Sequence, residues 1–140
     1  MSTEATRLLA QDYLDVLNRA LSTRDFDLLA TIASADLIDH GAGVGLESWA
    51  KMAAMTLDAF PDAQLSTVGI LADGDMAAIR SVLHGTHLGD ALGFPATGKA
   101  IALNVVDIVR FQDGLAAERW LFSSDREMME QLGMAPAPEA

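Results

Sequence analysis

The sequence predicts an α+β fold, a cone-shaped α+β barrel with N-terminal helices packed into a curved, mostly antiparallel sheet, and a short C-terminal helix. Two observations predict it. Apolar side chains recur at helical spacing through most of residues 3–60, whereas residues 64–123 form runs rich in β-branched and aromatic residues, separated by Asp-Gly turns. Helices that precede a long series of strands are typical of this class, and a sheet curved around helices leaves a cavity at one end.

Three helices are predicted in the N-terminal half. Residues 3–22 place apolar side chains on one face and acids and arginines on the other, so this helix is amphipathic. A short second helix is expected over residues 23–35, followed by a strand or loop over 37–41. The third helix is expected over residues 46–60, because Pro61 cannot continue it.

Strands are predicted in the second half of the chain. Residues 64–71 and 76–87 flank an Asp-Gly-Asp turn, and a loop rich in glycine and proline follows over 88–98. Residues 99–123 then form a hairpin. The capping box Ser124-x-x-Glu127 predicts a last helix that runs through Leu132.

The register of the hairpin determines which side chains meet. A three-residue loop over residues 112–114 would set Asp107 directly opposite Arg119 on one face, whereas a two-residue loop would shift the register by one residue. The three-residue loop is favoured, because it also brings Arg110 and Glu118 close together on the other face. Both faces of the hairpin are largely apolar, which indicates a sheet that is covered on both sides.

Composition bounds the class of protein. The 140 residues predict one domain over 1–140, with residues 134–140 as a loose tail. A net charge of −11 argues against binding to nucleic acid or to anionic membranes, and the absence of cysteine excludes disulfides and thiolate chemistry. No signal-peptide pattern and no apolar run of membrane-spanning length is present, so a cytoplasmic protein is expected.

Several motifs resemble those of the SnoaL-like polyketide (ester) cyclase family, whose fold is of the nuclear transport factor 2 type. They are G-T-H-L-G-D-A-L-G-F-P-A-T-G-K at 85–99, V-D-I-V-R-F-Q-D-G at 106–114, E-R-W at 118–120 and Q-L-G at 131–133. The resemblance covers roughly residues 8–133. It implies a small hydrophobic pocket, a hydrophobic small-molecule substrate, no cofactor, and a homodimer formed through the outer face of the sheet.

The sequence departs from the family at the catalytic positions. The position of the family's catalytic aspartate holds Leu121, the position of its histidine holds Asp107, and Arg119 replaces the histidine of an E-H-W motif common in the wider family. Positions 107 and 121 are expected on one face of neighbouring strands. An acid that has moved from position 121 to position 107 is therefore a reasonable hypothesis.

Asp107, Arg119 and His40 are the candidate catalytic residues. Burial in an apolar pocket would raise the pKa of Asp107 and the guanidinium of Arg119 would lower it, as expected for a positioned general base beside an anion-stabilising group. A structural salt bridge between them is the alternative. Only one of the adjacent residues Asp39 and His40 can face the pocket, and we expect His40 to do so as an auxiliary donor.

The expected substrate-binding residues are mostly apolar: Asp39, Trp49, Met52, Phe60, Leu83, His87, Phe94, Val105 and Leu121. No metal site is expected, because His84 and His87 lie three apart on one strand and so point to opposite faces. A loop over residues 93–98 resembles a lid over the pocket.

The first functional hypothesis is a cofactor-free cyclase or isomerase acting on a hydrophobic, carbonyl-containing, polyketide-like molecule. Proton abstraction next to the carbonyl would start the reaction, and the apolar pocket would fold the substrate for ring closure. One alternative is an epoxide hydrolase of the same fold, in which Asp39 would be the third member of an Asp-Arg-Asp arrangement. The others are a partner protein in a hydroxylation reaction and a non-catalytic protein that binds a small ligand.

Overall fold

The computed structural model describes residues 2–134, and its architecture confirms the α+β prediction. The predicted loose tail covers residues 134–140, and residues 135–140 of it lie outside the described residues. The elements in chain order are helix α1 (Thr3–Thr23), a 3₁₀ helix (Phe26–Thr31), strands β1 (Ala33–Asp39) and β2 (Gly43–Val44), helix α2 (Leu46–Ala59), strands β3 (Gln64–Asp73), β4 (Met76–Thr86), β5 (Ala100–Gln112) and β6 (Leu115–Ser123), and helix α3 (Asp125–Gln131).

The six strands form one curved sheet in the order β2-β1-β6-β5-β4-β3. Every neighbouring pair is antiparallel except β1 and β6, which are parallel. Alternate residues of β5 are buried, from Ile101 to Phe111, and this inner face of the sheet packs against the helices. The apolar face of α1, which includes Ala10 and Leu14, is buried in the same core.

Helices α1 and α3 each begin at a serine cap. The Ser2 hydroxyl accepts a hydrogen bond from the backbone N–H of Ala5 at the start of α1. The Ser124 hydroxyl accepts one from Glu127 N–H at 3.1 Å, so the predicted capping box opens α3. These short-range signals are readable in the sequence because both partners lie within one turn.

The predicted second helix over residues 23–35 is wrong in its second half. A 3₁₀ helix ends at Thr31, and the chain from Ala33 onward is strand. The Ala116 N–H of β6 donates to Ile32 O at 2.9 Å, and Ala33 pairs with Ala116. A partner more than eighty residues away therefore decides the conformation here, and local periodicity cannot report it.

Two glycines of the 85–99 motif allow close packing against the end of α2. A Cβ at Gly89 would lie 1.6 Å from the Asp58 carbonyl oxygen, and one at Gly85 would lie 2.9 Å from Phe60 Cβ. The Gly89 N–H also donates to Ala59 O at 3.2 Å. These contacts fix the start of the loop that follows β4.

The hairpin turn differs from the predicted three-residue loop. Asp113 and Gly114 form a two-residue turn, both with positive φ (53° and 80°), and Gln112 pairs with Leu115. Positive φ at both central residues is the conformation that Asp-Gly favours in tight hairpins, because it matches the right-handed twist of the strands. The prediction of a loop over 112–114 is therefore wrong.

A β-bulge next to the turn changes the register again. Phe111 pairs with Ala116 but Arg110 pairs with Glu118, so Ala117 is the additional residue of β6. The turn is one residue shorter than predicted and the bulge adds one residue to β6, so each residue of β6 from Glu118 onward points to the face that was predicted for it. Arg119 consequently shares the inner face with Asp107, as predicted, although the two residues are not directly opposite each other.

Candidate active site

A cavity of about 270 Å³ lies between helices α1 and α2 and the inner face of the sheet. Most of its lining side chains are apolar. The polar lining residues are Thr56, Ser81, Asp107, Arg119, Ser123 and Asp125. A mostly apolar concave site with a few polar groups is the usual form of a small-molecule site.

The Asp107 carboxylate and the Arg119 guanidinium form a buried pair within this wall. Arg119 Nη2 donates to Asp107 Oδ2 at 3.0 Å, and Arg119 Nε donates to Asp107 Oδ1 at 3.3 Å. In the observed register Asp107 pairs with Leu121 and Arg119 with Val109, so the contact is diagonal across the two strands. The predicted contact is thus present, but through a register different from the predicted one.

Asp39, rather than His40, points toward this pair. The parallel register sets Asp39 beside Arg119, and Arg119 Nη1 donates to Asp39 Oδ2 at 2.8 Å. Asp39 Oδ1 accepts hydrogen bonds from the backbone N–H groups of Gly41 and Ala42. Asp39 is buried and bonded to Arg119, and it does not line the cavity, unlike most of the predicted substrate-binding residues.

His40 lies on the outer face of the sheet, so the prediction that it faces the pocket is wrong. Its Nε2 is 2.6 Å from Glu118 Oε2, and its ring stacks on Trp120 at 4.7 Å between centroids. The side chain is 43% exposed. Adjacent residues of an extended segment point in opposite directions, so the inward position of Asp39 forces His40 outward.

Tyr13, the single tyrosine of the chain, completes the buried cluster and was missed by sequence reasoning. Its hydroxyl donates to Asp107 Oδ2 at 2.9 Å, and its ring stacks on Trp49 at 5.6 Å. Trp49 in turn covers the guanidinium of Arg119, whose Cζ is 4.8 Å from the ring centroid. The signal was a tyrosine on the apolar face of an amphipathic helix, since a buried phenol usually requires a hydrogen-bond partner.

The charges of the cluster are perturbed by burial. Burial raises the pKa of Asp107, and the charge of Arg119 and the hydrogen bonds from Arg119 and Tyr13 oppose the rise only in part. Burial would lower the pKa of Arg119, but Tyr13, Asp107 and Asp39 together raise it above its ordinary value, so this guanidinium stays protonated. Of the two carboxylates that bond this guanidinium, Asp107 is the one that lines the cavity.

Arg119 retains hydrogen-bonding capacity beyond its two carboxylate partners. A guanidinium has five N–H donors, and three of them, one each on Nε, Nη1 and Nη2, bond the two aspartates. The other two donate to no residue within 2–134. The Arg119 side chain also lines the cavity.

Six of the predicted substrate-binding residues line the cavity: Trp49, Met52, Phe60, Leu83, Val105 and Leu121. His87 and Phe94 do not. His87 is fully buried beside the ring of Phe94, and its Nδ1 accepts a hydrogen bond from Thr97 N–H at 3.0 Å. His87 therefore holds the loop that follows β4, and Phe94 packs on it instead of reaching the cavity.

Within residues 2–134, no three histidine, aspartate or glutamate side chains are grouped closely enough to hold a metal ion. None of the helices described there has the length and apolar character needed to span a membrane.

The chain matches one family profile and is similar to many solved structures. A family profile described as SnoaL-like polyketide cyclase matches residues 8–132. AclR, a proposed hydroxylase from Streptomyces galilaeus, is 27% identical with a TM-score of 0.81, covering 99% of this chain and 91% of its own. IdmH, a proposed polyketide cyclase from Streptomyces antibioticus, is 28% identical with a TM-score of 0.77, covering 88% and 97%.

A third similar structure supports the fold alone. TsrD from Streptomyces laurentii is 23% identical with a TM-score of 0.82, covering 91% of this chain and 97% of its own. No match was found among curated proteins.

Proposed function

Because this chain belongs to the SnoaL-like polyketide cyclase family, we propose that it abstracts a proton next to a carbonyl group of a hydrophobic, polyketide-like small molecule. Ring closure or isomerisation of the resulting enolate would follow. One observation carries the proposal: Asp107 is a buried carboxylate that lines the apolar cavity and has a raised pKa. The fold resemblance to IdmH, a proposed polyketide cyclase, supports the same substrate class.

Asp107 would act as the general base. Its carboxylate would take the proton from the carbon next to the carbonyl, and its raised pKa makes it a stronger base than an exposed aspartate. The hydrogen bonds from Tyr13 and Arg119 hold the carboxylate in one orientation. Negative charge would then develop on the substrate oxygen, where an N–H donor of Arg119 could stabilise it. The apolar walls would hold the remainder of the substrate in a folded shape.

The replacement of the family's aspartate supports this assignment of the base. Leu121 occupies that position and lies directly opposite Asp107 in the antiparallel pair of β5 and β6. Side chains opposite each other on one face have Cβ atoms about 5 Å apart. An acid on β5 can therefore reach nearly the same part of the cavity as an acid on β6.

Hydrogen–deuterium exchange at C2 of 1-tetralone tests the proposal. This hydrophobic aryl ketone exchanges its C2 protons slowly on its own, and NMR in deuterated buffer measures the rate. The protein should accelerate exchange, and Asp107→Asn should reduce the acceleration by roughly a hundredfold or more, because loss of a general base costs that much. Glu118→Gln is the matched control, since Glu118 is a carboxylate on the outer face.

The pH dependence gives the same test a second readout. A general base works only when ionised, so the rate of the accelerated exchange should decrease as the pH is lowered. The midpoint should lie above the ordinary pKa of an aspartate, because burial raises the pKa of Asp107. Wild-type exchange at the uncatalysed rate, or Asp107→Asn exchange at the wild-type rate, would contradict the proposal.

Epoxide hydrolysis is a second candidate, favoured by the arrangement Asp39–Arg119–Asp107. In that reaction one acid takes a proton from the attacking water and another gives a proton to the oxygen released from the ring. Asp39 does not line the cavity, so it could act only through Arg119, and this counts against the second candidate. Formation of the diol from styrene oxide, measured by chromatography, would favour it over proton abstraction.

A non-catalytic role, as a ligand-binding protein or as the partner of a hydroxylase, makes a different prediction for the same variant. AclR, a proposed hydroxylase, has a similar structure. A binding protein would show no turnover and would lose ligand affinity in Asp107→Asn. An enzyme would lose turnover in that variant and keep most of its affinity.

A further inference from the structure

Ser81 is a buried hydroxyl in the cavity wall without an observed partner. It lies on the inner face of β4, is 2% exposed and lines the cavity. Its Oγ forms no hydrogen bond with any residue in the described range 2–134. Buried side-chain hydroxyls normally form a hydrogen bond, because a hydroxyl that is buried among apolar groups without one destabilises the folded protein.

The contrast with Thr56 shows that another hydroxyl in this wall is used within the protein. Thr56 Oγ1 donates to Met52 O at 3.0 Å, four residues earlier in α2. Ser81 is on a strand, where its backbone groups pair with β3 and β5 and leave the side chain directed inward. Its hydroxyl therefore remains available to a molecule in the cavity.

The register locates Ser81 relative to the base. Ser81 pairs with Val105, and Ile79 pairs with Asp107, so Ser81 is the diagonal neighbour of Asp107 on the inner face. Such neighbours have Cα atoms about 7–8 Å apart. An atom bound by Ser81 is thus displaced along the wall from the carbon at which Asp107 would act.

We propose that Ser81 binds a second oxygen of the ligand, several bonds away from the carbonyl whose neighbouring carbon Asp107 deprotonates. The site would then select molecules that carry at least two separated oxygen functions over molecules that carry one. The inference rests on the proposed function, since it requires the ligand to occupy the cavity beside Asp107.

The chemistry of the site defines this second oxygen further. A serine hydroxyl can donate to a carbonyl and can also accept from a hydroxyl. Among the cavity-lining residues, the nearest inward neighbours of Ser81 are the apolar Val105 on β5 and Leu83 on β4, whereas Thr67, its partner on β3, does not line the cavity. A neutral carbonyl or phenolic hydroxyl fits these surroundings, because a carboxylate here would be buried without a counter-ion.

The preference for ligands with a second oxygen follows from the free-energy cost of leaving the Ser81 hydroxyl without a hydrogen bond. A ligand with the second oxygen satisfies Ser81, and a ligand without it leaves the hydroxyl buried and unbonded. A site built to hydrogen-bond an oxygen rejects analogues that lack it more strongly than an apolar wall rejects a size change. We expect roughly a tenfold difference in affinity from one neutral hydrogen bond.

Calorimetric binding of 1-tetralone and of its 5-, 6- and 7-hydroxy derivatives tests the inference. The wild-type protein should bind at least one hydroxy isomer about tenfold more tightly than 1-tetralone. Ser81→Ala should abolish this preference, and Ser81→Thr, which keeps the hydroxyl, should restore part of it. Ser123→Ala is the matched control, since Ser123 is a lining serine in the same row but at the exposed end.

Each other outcome overturns the inference. A preference that persists in Ser81→Ala, or that Ser123→Ala removes equally, would assign the second oxygen to another group. Equal loss of affinity for all four ligands in Ser81→Ala would mean that Ser81 contacts the reacting carbonyl itself. Failure of every ligand to bind the wild-type protein would also overturn it. This experiment measures binding and not catalysis. If the protein does not accelerate exchange but still prefers a hydroxy isomer through Ser81, only the catalytic proposal is rejected.

Discussion

At the scale of single residues, the site depends on how one guanidinium is shared. Arg119 bonds Asp39 at 2.8 Å and Asp107 at 3.0 Å, and all three side chains are buried. The two acids differ in what else they contact. Asp39 also accepts two backbone N–H groups, whereas Asp107 accepts the Tyr13 hydroxyl and faces the cavity. Asp39 is therefore a positioning residue for Arg119, and Asp107 is the acid that can reach a ligand.

Asp39→Asn should shift the acidic midpoint of the pH profile for 1-tetralone exchange to lower pH. The negative charge of Asp39 contributes to the raised pKa of Asp107, so its removal lowers the pH at which Asp107 becomes ionised. The maximal rate should also fall by roughly tenfold, because Arg119 loses a partner that orients it. A pH profile of 1-tetralone exchange measures both effects.

His40→Ala provides the control for this prediction. His40 is the neighbouring residue, but its ring contacts Glu118 and Trp120 on the outer face. Its removal should leave both the midpoint and the maximal rate unchanged. A shifted midpoint in His40→Ala, or an unshifted one in Asp39→Asn, would contradict the arrangement described above.

At the scale of elements, the loop between β4 and β5 is fixed at both ends. Gly89 approaches the end of α2 closely enough that its N–H bonds Ala59 O, and His87 bonds the backbone N–H of Thr97. The motif residues at 85–99 therefore act on loop geometry, and the cavity is lined from this loop by Leu92. The motif thus meets a packing requirement at the end of α2.

Gly89→Ala should destabilise the protein by on the order of 3 kcal/mol. The added methyl carbon would lie 1.6 Å from the Asp58 carbonyl oxygen, so the loop and the helix end must separate. Chemical denaturation measures the free energy of unfolding. Gly69→Ala in β3 is the matched control, because no atom lies within 4 Å of the added carbon. Equal stabilities of the two variants would contradict the close approach.

At the scale of the whole molecule, the outer face of the sheet carries partly exposed apolar side chains. We define this outer face by Val82, Val106, Ile108, Trp120 and Phe122. Phe122 is 55% exposed and pairs with Val106 across β5 and β6. Exposed apolar patches of this kind mark interaction surfaces. We therefore retain the homodimer through this face as a prediction.

Phe122→Glu should prevent the predicted dimer from forming. A charge in the middle of an apolar interface leaves the carboxylate desolvated and unpaired. Light scattering coupled to gel filtration should give twice the 14.8 kDa chain mass for the wild type and one chain mass for the variant. Leu8→Glu is the matched control, since Leu8 is 56% exposed on α1, away from the sheet face. A monomeric wild type would reject the prediction.

The sequence by itself determined the class of fold, most element boundaries and the family. Helical and strand periodicities, the Ser124 capping box and the Asp113-Gly114 turn are properties of neighbouring residues, and such properties are readable along the chain. The parity predicted for the hairpin faces from Glu118 onward matches the structure because two departures from the prediction offset each other: the turn is one residue shorter, and a β-bulge adds one residue to β6. That parity was enough to bring Asp107 and Arg119 to one side of the sheet.

Only the tertiary structure decided the register and the composition of the site. The parallel pairing that turns Asp39 inward and the hydrogen bond from Tyr13 to Asp107 join distant parts of the chain. The bulge at Ala117 shifts the register of two strands that are close in sequence. Each depends on which strands become neighbours and how far they are shifted. Local patterns are compatible with several such shifts, and packing of the whole core selects one.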